Sequence, residues 1–540
     1  MKKVVSLVLG LVLMMGMFAV GCGGNDSTID PNRTQLYVGV TEGGIGWTWM
    51  EETIKDFEKE NPEVQVLMTH KKQEFTGSTL LSNLKYNKFD IYFLWGCDYN
   101  AFYSSGDLLD ITDAVTEKVY DAEGNLSTSA THSIIDRVVD EEFATYFNKG
   151  TDTEPKYYGI PFFSMPAGII YDAELLNEQS LYFTKNGTIG AKLGDANIGK
   201  GPDGEEGTLD DGMPVTWNDF MLLVTIMRTS KNIVPFTWSG ADEYQKGYAL
   251  NQVYANYEGK ENFMLNFTFN GHDTGLDEDI SEENGYLVAQ QEGRKAVAKF
   301  AYDILSNSQN YSSMAFKSAH THKLAQQEYI QSADGTVKRI AFLFEGGYWE
   351  TEAKNVFDAM AKTKDEWGFG KRDFRMLDIP KFTGVNGLKD QVNNKQSLFL
   401  STDNSMICIS KNSTQPELAK KFMQFALNRK NMSLYTQHSG TFYSYDYGME
   451  TAEVKNCTKF VQNVYKKYTD SQRYDRVYDL KVSLLRANNP TFFNDWNHGA
   501  KVNGELFLHP FAAFKNTTGL TVDKYIEHMI AYRSESEWIG

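Results

Sequence analysis

Cysteine and proline are scarce in this chain, with 4 and 12 among 540 residues. Cys22 ends the N-terminal apolar stretch, which leaves Cys97, Cys408 and Cys457. An odd number of thiols in an exported protein excludes a disulfide framework as what holds the fold together. Cys408 falls in the alternating run 405–410 and reads as an apolar core residue. After Val20 no apolar run approaches the length that spans a membrane. Positive charge is also in deficit. The 53 Lys and Arg against 71 Asp and Glu give −18, or −20 once Lys2 and Lys3 are removed with a leader. Such a surface argues against nucleic acid or anionic lipid as a partner. Catalytic signatures are missing too: there is no Gly-x-Ser-x-Gly elbow, no His-Glu-x-x-His and no phosphate loop ending in Gly-Lys-Ser/Thr. His320 and His322 have no acidic or thiol cluster near them in sequence and are expected to be a surface pair. The expectation is a protein without cofactor that is not an enzyme.

What is present starts with a leader. Lys2 and Lys3 precede the apolar stretch Val4 to Val20, which closes on Ala19-Val20-Gly21-Cys22. This is the pattern of a secretory signal. It is short for a spanning helix, contains Gly10 and Gly16, and runs into Gly-Asn-Asp-Ser linker chemistry. The ending resembles a lipobox, which implies cleavage before Cys22 and a diacylglycerol on its sulfur. Residues 1–21 are then a signal peptide and 22–34 a lipidated tether. Gly23 does not resemble the aspartate that retains lipoproteins in an inner membrane, so a Gram-positive cell surface is expected.

The remaining chain is too long for one hydrophobic core and should form at least two domains. Leu36, Val38 and Val40 alternate as a strand does, and Glu42-Gly43-Gly44-Ile45-Gly46 is a loop able to bring backbone close to a ligand. A helix carrying Met50, Ile54 and Phe57 follows, ending before Pro62, and 64–68 reads as a second strand, giving a β-α-β unit. Residues 91–95 are continuously apolar, as in a sheet covered on both faces. Residues 158–171 are extended and apolar. Thr216 caps a helix with Phe220, Val224 and Met227; Thr414 with Glu417 has the spacing of a capping box; a last helix starts at Thr521. The chain is α/β throughout, with polar loops at 121–130, 185–212 and 271–285 and no internal repeat.

In their order, these segments resemble the extracellular solute-binding proteins of sugar-type ABC importers, of which the maltose-binding proteins are representative. The resemblance is carried by WMEETIKDFEKENP from Trp49, KFDIYFLW from Lys88, Gly106-Asp107-Leu108-Leu109-Asp110-Ile111-Thr112, Tyr158-Gly159-Ile160-Pro161 with Gly168-Ile169-Ile170-Tyr171, Pro214 to Phe220, IAFLFEGGYW from Ile340 and ICISKNSTQPELAKKFMQFA from Ile407. It implies a two-lobed periplasmic-binding-protein fold with discontinuous lobes and an interlobe ligand cleft. An N-terminal lobe takes 35–164 and 381–442, and a C-terminal lobe takes 165–380 and 443–540. It also implies a carbohydrate ligand, an oligosaccharide, delivered to the transmembrane subunits of an ABC permease by a monomer held to the membrane only by lipid. A binding protein for a peptide or polyamine is one alternative, and an exported carbohydrate-active enzyme another.

Sugar recognition needs ring faces against the C–H surface of a pyranose and planar polar groups for its hydroxyls, and 14% of this chain is aromatic. Trp95 and Asp98 stand at the carboxyl end of a strand, where open α/β sheets bind ligands, and resemble the family segment lining the first lobe. Glu42 and Trp47 flank the glycine loop where the family places polar contacts. Tyr348 is in register with the family's stacking ring and Trp349 is beside it; one of the two is expected in the cleft. Trp238, Tyr248 and Trp496 fall where further aromatic contacts are placed. The loop 201–212, with Asp203, Asp210 and Asp211 among glycines, is oxygen-rich enough for calcium, although its spacing is not that of an EF-hand and a solvated acidic turn with no metal is the expectation.

Overall fold

The computed structural model describes residues 29–71, 75, 77–86, 89–139, 141–395, 397–401, 405–475, 498–534 and 538. The predicted β-α-β start is present as β1 (Thr34–Val40), α1 (Thr48–Glu60) and β2 (Val64–His70), with β1 and β2 parallel. Alternation explains β1, in which Leu36, Val38 and Val40 are fully buried. Helix α1 buries Trp49, Met50, Thr53 and Phe57 and stops just before Pro62. Strand β3 (Ile91–Leu94) pairs parallel to β1 and is buried along its whole length.

The chain then passes from one sheet to another within four residues. Strand β4 (Ile160–Pro161) belongs to the first sheet, and β5 (Phe163–Asp172) belongs to the second. All ten residues of β5 are buried. Strands β6 (Val234–Thr237), β7 (Ile340–Gly346), β8 (Phe374–Met376) and β9 (Ser397–Ser401) follow in the second sheet. Strand β10 (Met406–Ile409) returns to the first, and β11 (Phe442–Tyr443) and β12 (Gln472–Asp475) are again in the second. The five-stranded sheet runs β2-β1-β3-β10-β4, and the seven-stranded sheet runs β12-β9-β5-β7-β6 with β8 and β11 also on β5. The returning β10 is antiparallel to both β3 and β4, and Cys408 sits fully buried in it. Two sheets of mixed direction, built from segments far apart in sequence, give the discontinuous two-lobed α/β architecture. Strand pairing places Ser397–Ser401 with the second sheet and Met406–Ile409 with the first.

Aromatic packing fixes the passage between the sheets. Phe162, the residue between β4 and β5, is fully buried with Trp49, Tyr435 and Tyr443, its ring centroid 5.4–5.9 Å from theirs. In the second half, helix α2 (Trp217–Ser230) has the predicted capping box, with Thr216 and Asp219 exchanging bonds. Helix α3 (Glu243–Glu258) is buried from Gln245 to Tyr257, and its amides bond to the sheet. Gln252 accepts from Ile169 N–H at 2.9 Å and donates to the Leu377 carbonyl at 2.7 Å. A Cβ on Gly168 would lie 2.2 Å from the Gln252 amide, so glycine here is what lets α3 seat on β5. Helix α4 (His322–Gln331) and the short α5 (Trp349–Glu352) flank β7. The capping box expected at Thr414 is absent: α6 (Pro416–Ala426) has Gln415 at its cap and Pro416 in its first turn. The Asp90 carboxylate takes the Ser413 hydroxyl at 2.6 Å and the Thr414 N–H at 3.2 Å, so this stretch is tied to β3 instead. Helix α7 (Arg429–Ser439) packs on α1, and α8 (Val522–Tyr532) starts at Thr521 as expected. Among the described residues no helix is long and apolar enough to cross a membrane.

Candidate functional site

The carboxyl ends of β1 and β3 form one wall of the candidate site. Trp95 follows β3 directly and is half-buried, its backbone N–H donating to the Thr41 hydroxyl at 3.1 Å. Beside it the glycine loop after β1 lies so close that a Cβ on Gly43 would fall 2.4 Å from the Trp95 ring. At Gly44 the same test gives 2.0 Å to the ring of Tyr348, so this backbone touches both rings. Glu42 and Trp47 meet around His70. Trp47 stacks on the imidazole at 4.1 Å with 8° between planes, and the Glu42 carboxylate is 3.2 Å from Nδ1. Asp98 is exposed, and its carboxylate caps a helical turn by accepting the Asn100 N–H at 2.9 Å.

The opposite wall is the end of β7. Glu345 and Gly346 finish the strand, Gly347 donates its N–H to the Pro166 carbonyl at 2.7 Å, and the chain turns into α5. The turn sends its two aromatic residues in opposite directions. Tyr348 meets Trp95 with centroids 5.4 Å apart and planes at 61°. Trp349 enters the core against Phe374, Phe357, Phe460 and Tyr329, at 5.0–5.9 Å, and is fully buried. Of the two, Tyr348 is the one whose ring meets the first wall. Trp238 also lies in the core, stacked on Phe344 at 5.1 Å and 12°. Tyr248 is buried, its ring centroid 5.4 Å from that of Tyr244. Trp496 and Cys22 lie outside the described residues. The walls are also tied at their edge, where Thr351 of α5 donates to the His438 carbonyl at 2.9 Å and His438 Nδ1 lies 2.8 Å from the Thr48 hydroxyl of α1.

Polar side chains back Tyr348. Glu345 is fully buried and accepts from the Gln326 amide at 3.1 Å, from the Gln245 amide and from Gly346 N–H at 2.9 Å. Gln326 donates to Glu352 as well, at 2.8 Å. His322 stands between carboxylates, 3.0 Å from Asp242 and 3.4 Å from Glu352. Burial, then the neighbouring Glu352, pushes Glu345 up to about 8. Burial works against charged His322, but its bonds to Glu352 and Asp242 outweigh that and raise its pKa.

The profile of the bacterial extracellular solute-binding proteins matches residues 42–433, which include both walls. The chain belongs to this family. No curated protein matches it by sequence. Among solved structures, one from work on xylan utilization by the thermophilic bacterium Caldanaerobius polysaccharolyticus is 16% identical, with a TM-score of 0.54 over 92% of this chain and 99% of that one. A probable secreted solute-binding lipoprotein from Streptomyces coelicolor is 14% identical, with a TM-score of 0.53 over 94% and 100%. At these identities the likeness is one of fold.

Within this solute-binding protein the acidic loop stands apart from the two walls. Its carboxylates are engaged by the loop itself: Asp210 takes the Asp203 N–H at 2.9 Å and the Thr208 hydroxyl at 2.7 Å, and Asp211 takes the Gly207 N–H at 2.8 Å. A cavity of about 270 Å³ lies beside it, lined among others by Tyr171, Asp210, Arg375, Asp378 and Lys467. Burial and then Asp378 push Asp210 up to about 7. Among the described residues no three carboxylate, imidazole or thiol groups converge as a metal site does. The two histidines are not a surface pair. His320 is buried 3.4 Å from Glu328, and His322 is bracketed as described. Their carboxylates come from positions 8 to 80 residues away, which is why local sequence gave no sign of them. His70, Tyr244, Gln245, Gln326 and Glu352 were likewise invisible, having no motif around them.

Proposed function

We propose that this solute-binding protein captures a neutral carbohydrate, an oligosaccharide, between Trp95 and Tyr348 and delivers it to the membrane subunits of an ABC importer. The observation that carries the reading is that these rings come from opposite sheets and meet at 5.4 Å, with the Gly43-Gly44 backbone against both. A pyranose entering there parts the two rings and gains a ring face on each side, so binding energy is coupled to the separation and re-closure of the lobes. Glu42, with His70 and Trp47 beside it, supplies acceptors and donors at the rim for hydroxyls. The work on xylan utilization from which one similar structure comes supports the cargo class. The lobes are residues 35–164 with about 405–442, and the intervening and following segments, a division that the strand pairings support. Cys22 carries the lipid anchor that holds the monomer on the outer face of the membrane, and no reaction is performed on the ligand.

A thermal-shift screen of the mature body against mono- and oligosaccharides, amino acids, peptides and polyamines tests this. A ligand at about 100 times its dissociation constant stabilises the fold by about 2.7 kcal/mol. The expected outcome is a shift with one family of sugars that is lost in Trp95→Ala and Tyr348→Ala, with the sugar recovered unchanged. A shift given only by a charged solute, or retained in both variants, defeats the cargo assignment or the wall assignment respectively. Loss of membrane association in Cys22→Ala checks the anchor.

A further inference from the structure

Tyr348 owes its place to side chains that never reach the cleft. Its own turn is pinned by Glu345, which lies three residues earlier, is fully buried, and accepts the Gly346 N–H at the start of the turn. Tyr244 lies close enough to Tyr348 to interact with it electrostatically, and the Tyr244 ring lies 5.8 Å from His322. Gln326 joins Glu345 to Glu352, and Glu352 joins on to His322 and, at 3.7 Å, to Lys323. Helix α3 brings Asp242, Tyr244 and Gln245; α4 brings His322, Lys323 and Gln326; α5 brings Tyr348 and Glu352; and β5 offers only Gly168 opposite Glu345. The other charged groups nearby are otherwise engaged. Lys246 bonds the Ser239 carbonyl and Glu243, while Glu328 bonds Thr237, Ser312 and His320.

We propose that Glu345, with Gln326 and His322, is a positioning residue that holds Tyr348 against Trp95, and that raising the pH into the mildly alkaline range releases Tyr348 and weakens ligand capture. The inference deepens the proposed function and rests on that pair of rings being the ligand wall. Ionising Glu345 puts a second negative charge beside Glu352 in a buried site, and the nearby His322 is already shared by Glu352 and Asp242. The strain is relieved when the Gly346 turn moves, and Tyr348 moves with it. The direction agrees with burial and Glu352 pushing Glu345 up to about 8.

The test needs no ligand. Acrylamide quenching of Trp95, read as the difference between the parent protein and Trp95→Phe, is followed from about pH 6 to about pH 9.5, below the ordinary range of tyrosine ionisation. The expected result is a rise in Trp95 accessibility with a midpoint near 8 in the parent and a flat profile in Glu345→Gln, which keeps the neutral side chain. Glu352→Gln, by removing the repelling carboxylate, should move the midpoint down by about one pH unit. A flat profile in the parent overturns the proposal, as does the same rise in a Glu345→Gln variant whose circular dichroism matches the parent. So does a midpoint unmoved in Glu352→Gln. If the quenching behaves as expected while sugar binding is indifferent to Trp95→Ala, the positioning role stands and the ligand wall has been misassigned.

Discussion

Trp95 and Tyr348 face each other, yet the two walls hold their rings by different means. Trp95 is half-buried at the end of a strand and is steadied by the glycine backbone, one bond to Thr41 and the ring of Phe163 at 5.5 Å. Tyr348 is buried and rests on a network of carboxylates, amides and an imidazole drawn from three helices. The first wall is set by shape and ring contact, with Glu42, His70 and Trp47 grouped at its rim. The second is set by hydrogen bonds whose strength depends on protonation. A buried polar network is stable only while each member is satisfied, so the second wall is the one that conditions can disturb.

The largest effect that would sharpen this contrast is on a residue outside both walls. Trp349→Ala empties a fully buried site lined by four aromatic rings and should cost about 3–5 kcal/mol, read by denaturant unfolding. If it instead abolished binding with stability unchanged, the division of the Tyr348-Trp349 pair between cleft and core would be wrong. Next, Trp95→Ala should lower sugar affinity by about tenfold or more while costing much less stability than Trp349→Ala, as calorimetry and melting together report. The third effect separates the walls by pH. Glu345 has an ordinary value of 4.5 and is pushed up to about 8 by burial and Glu352. The native state therefore holds a proton that the unfolded chain has lost. Its contribution to stability is complete below about 4.5 and is lost as pH rises to about 8. Unfolding at several pH values should show that decline in the parent and a shallower one in Glu345→Gln. The smallest effects are on caps. Thr216→Ala should cost about 1 kcal/mol by removing the capping box, whereas Thr414→Ala, which caps nothing, should stay within about 0.5 kcal/mol. Asp98→Ala should resemble Thr216→Ala in stability, because its carboxylate caps a helical turn by accepting the Asn100 N–H.

Much of the architecture was legible because it rests on local periodicity. The opening β-α-β unit, the buried strand before Trp95, the Thr216 cap and the last helix all declare themselves within a dozen residues. The Thr414 cap fails for a reason that lies 324 residues away, in the pull of Asp90 on Ser413 and Thr414. The site divides in the same manner. Trp95 and the glycine loop were readable from strand ends and glycine content. Trp238 and Trp349 carry the same local signals but are core residues, because a ring beside a strand end can turn either way and only its neighbours decide.

By itself, the sequence determined the α/β class, the need for more than one lobe, the absence of a disulfide scaffold and the elements that bear the walls, since each follows from composition, periodicity or turn chemistry. The tertiary structure alone decided that Tyr348 meets Trp95 while Trp349 is buried, that the chain returns to the first sheet after Ser401, and that His322 lies between two carboxylates. Those outcomes depend on contacts between residues tens to hundreds of positions apart, and local preference carries no information about which distant side chain arrives.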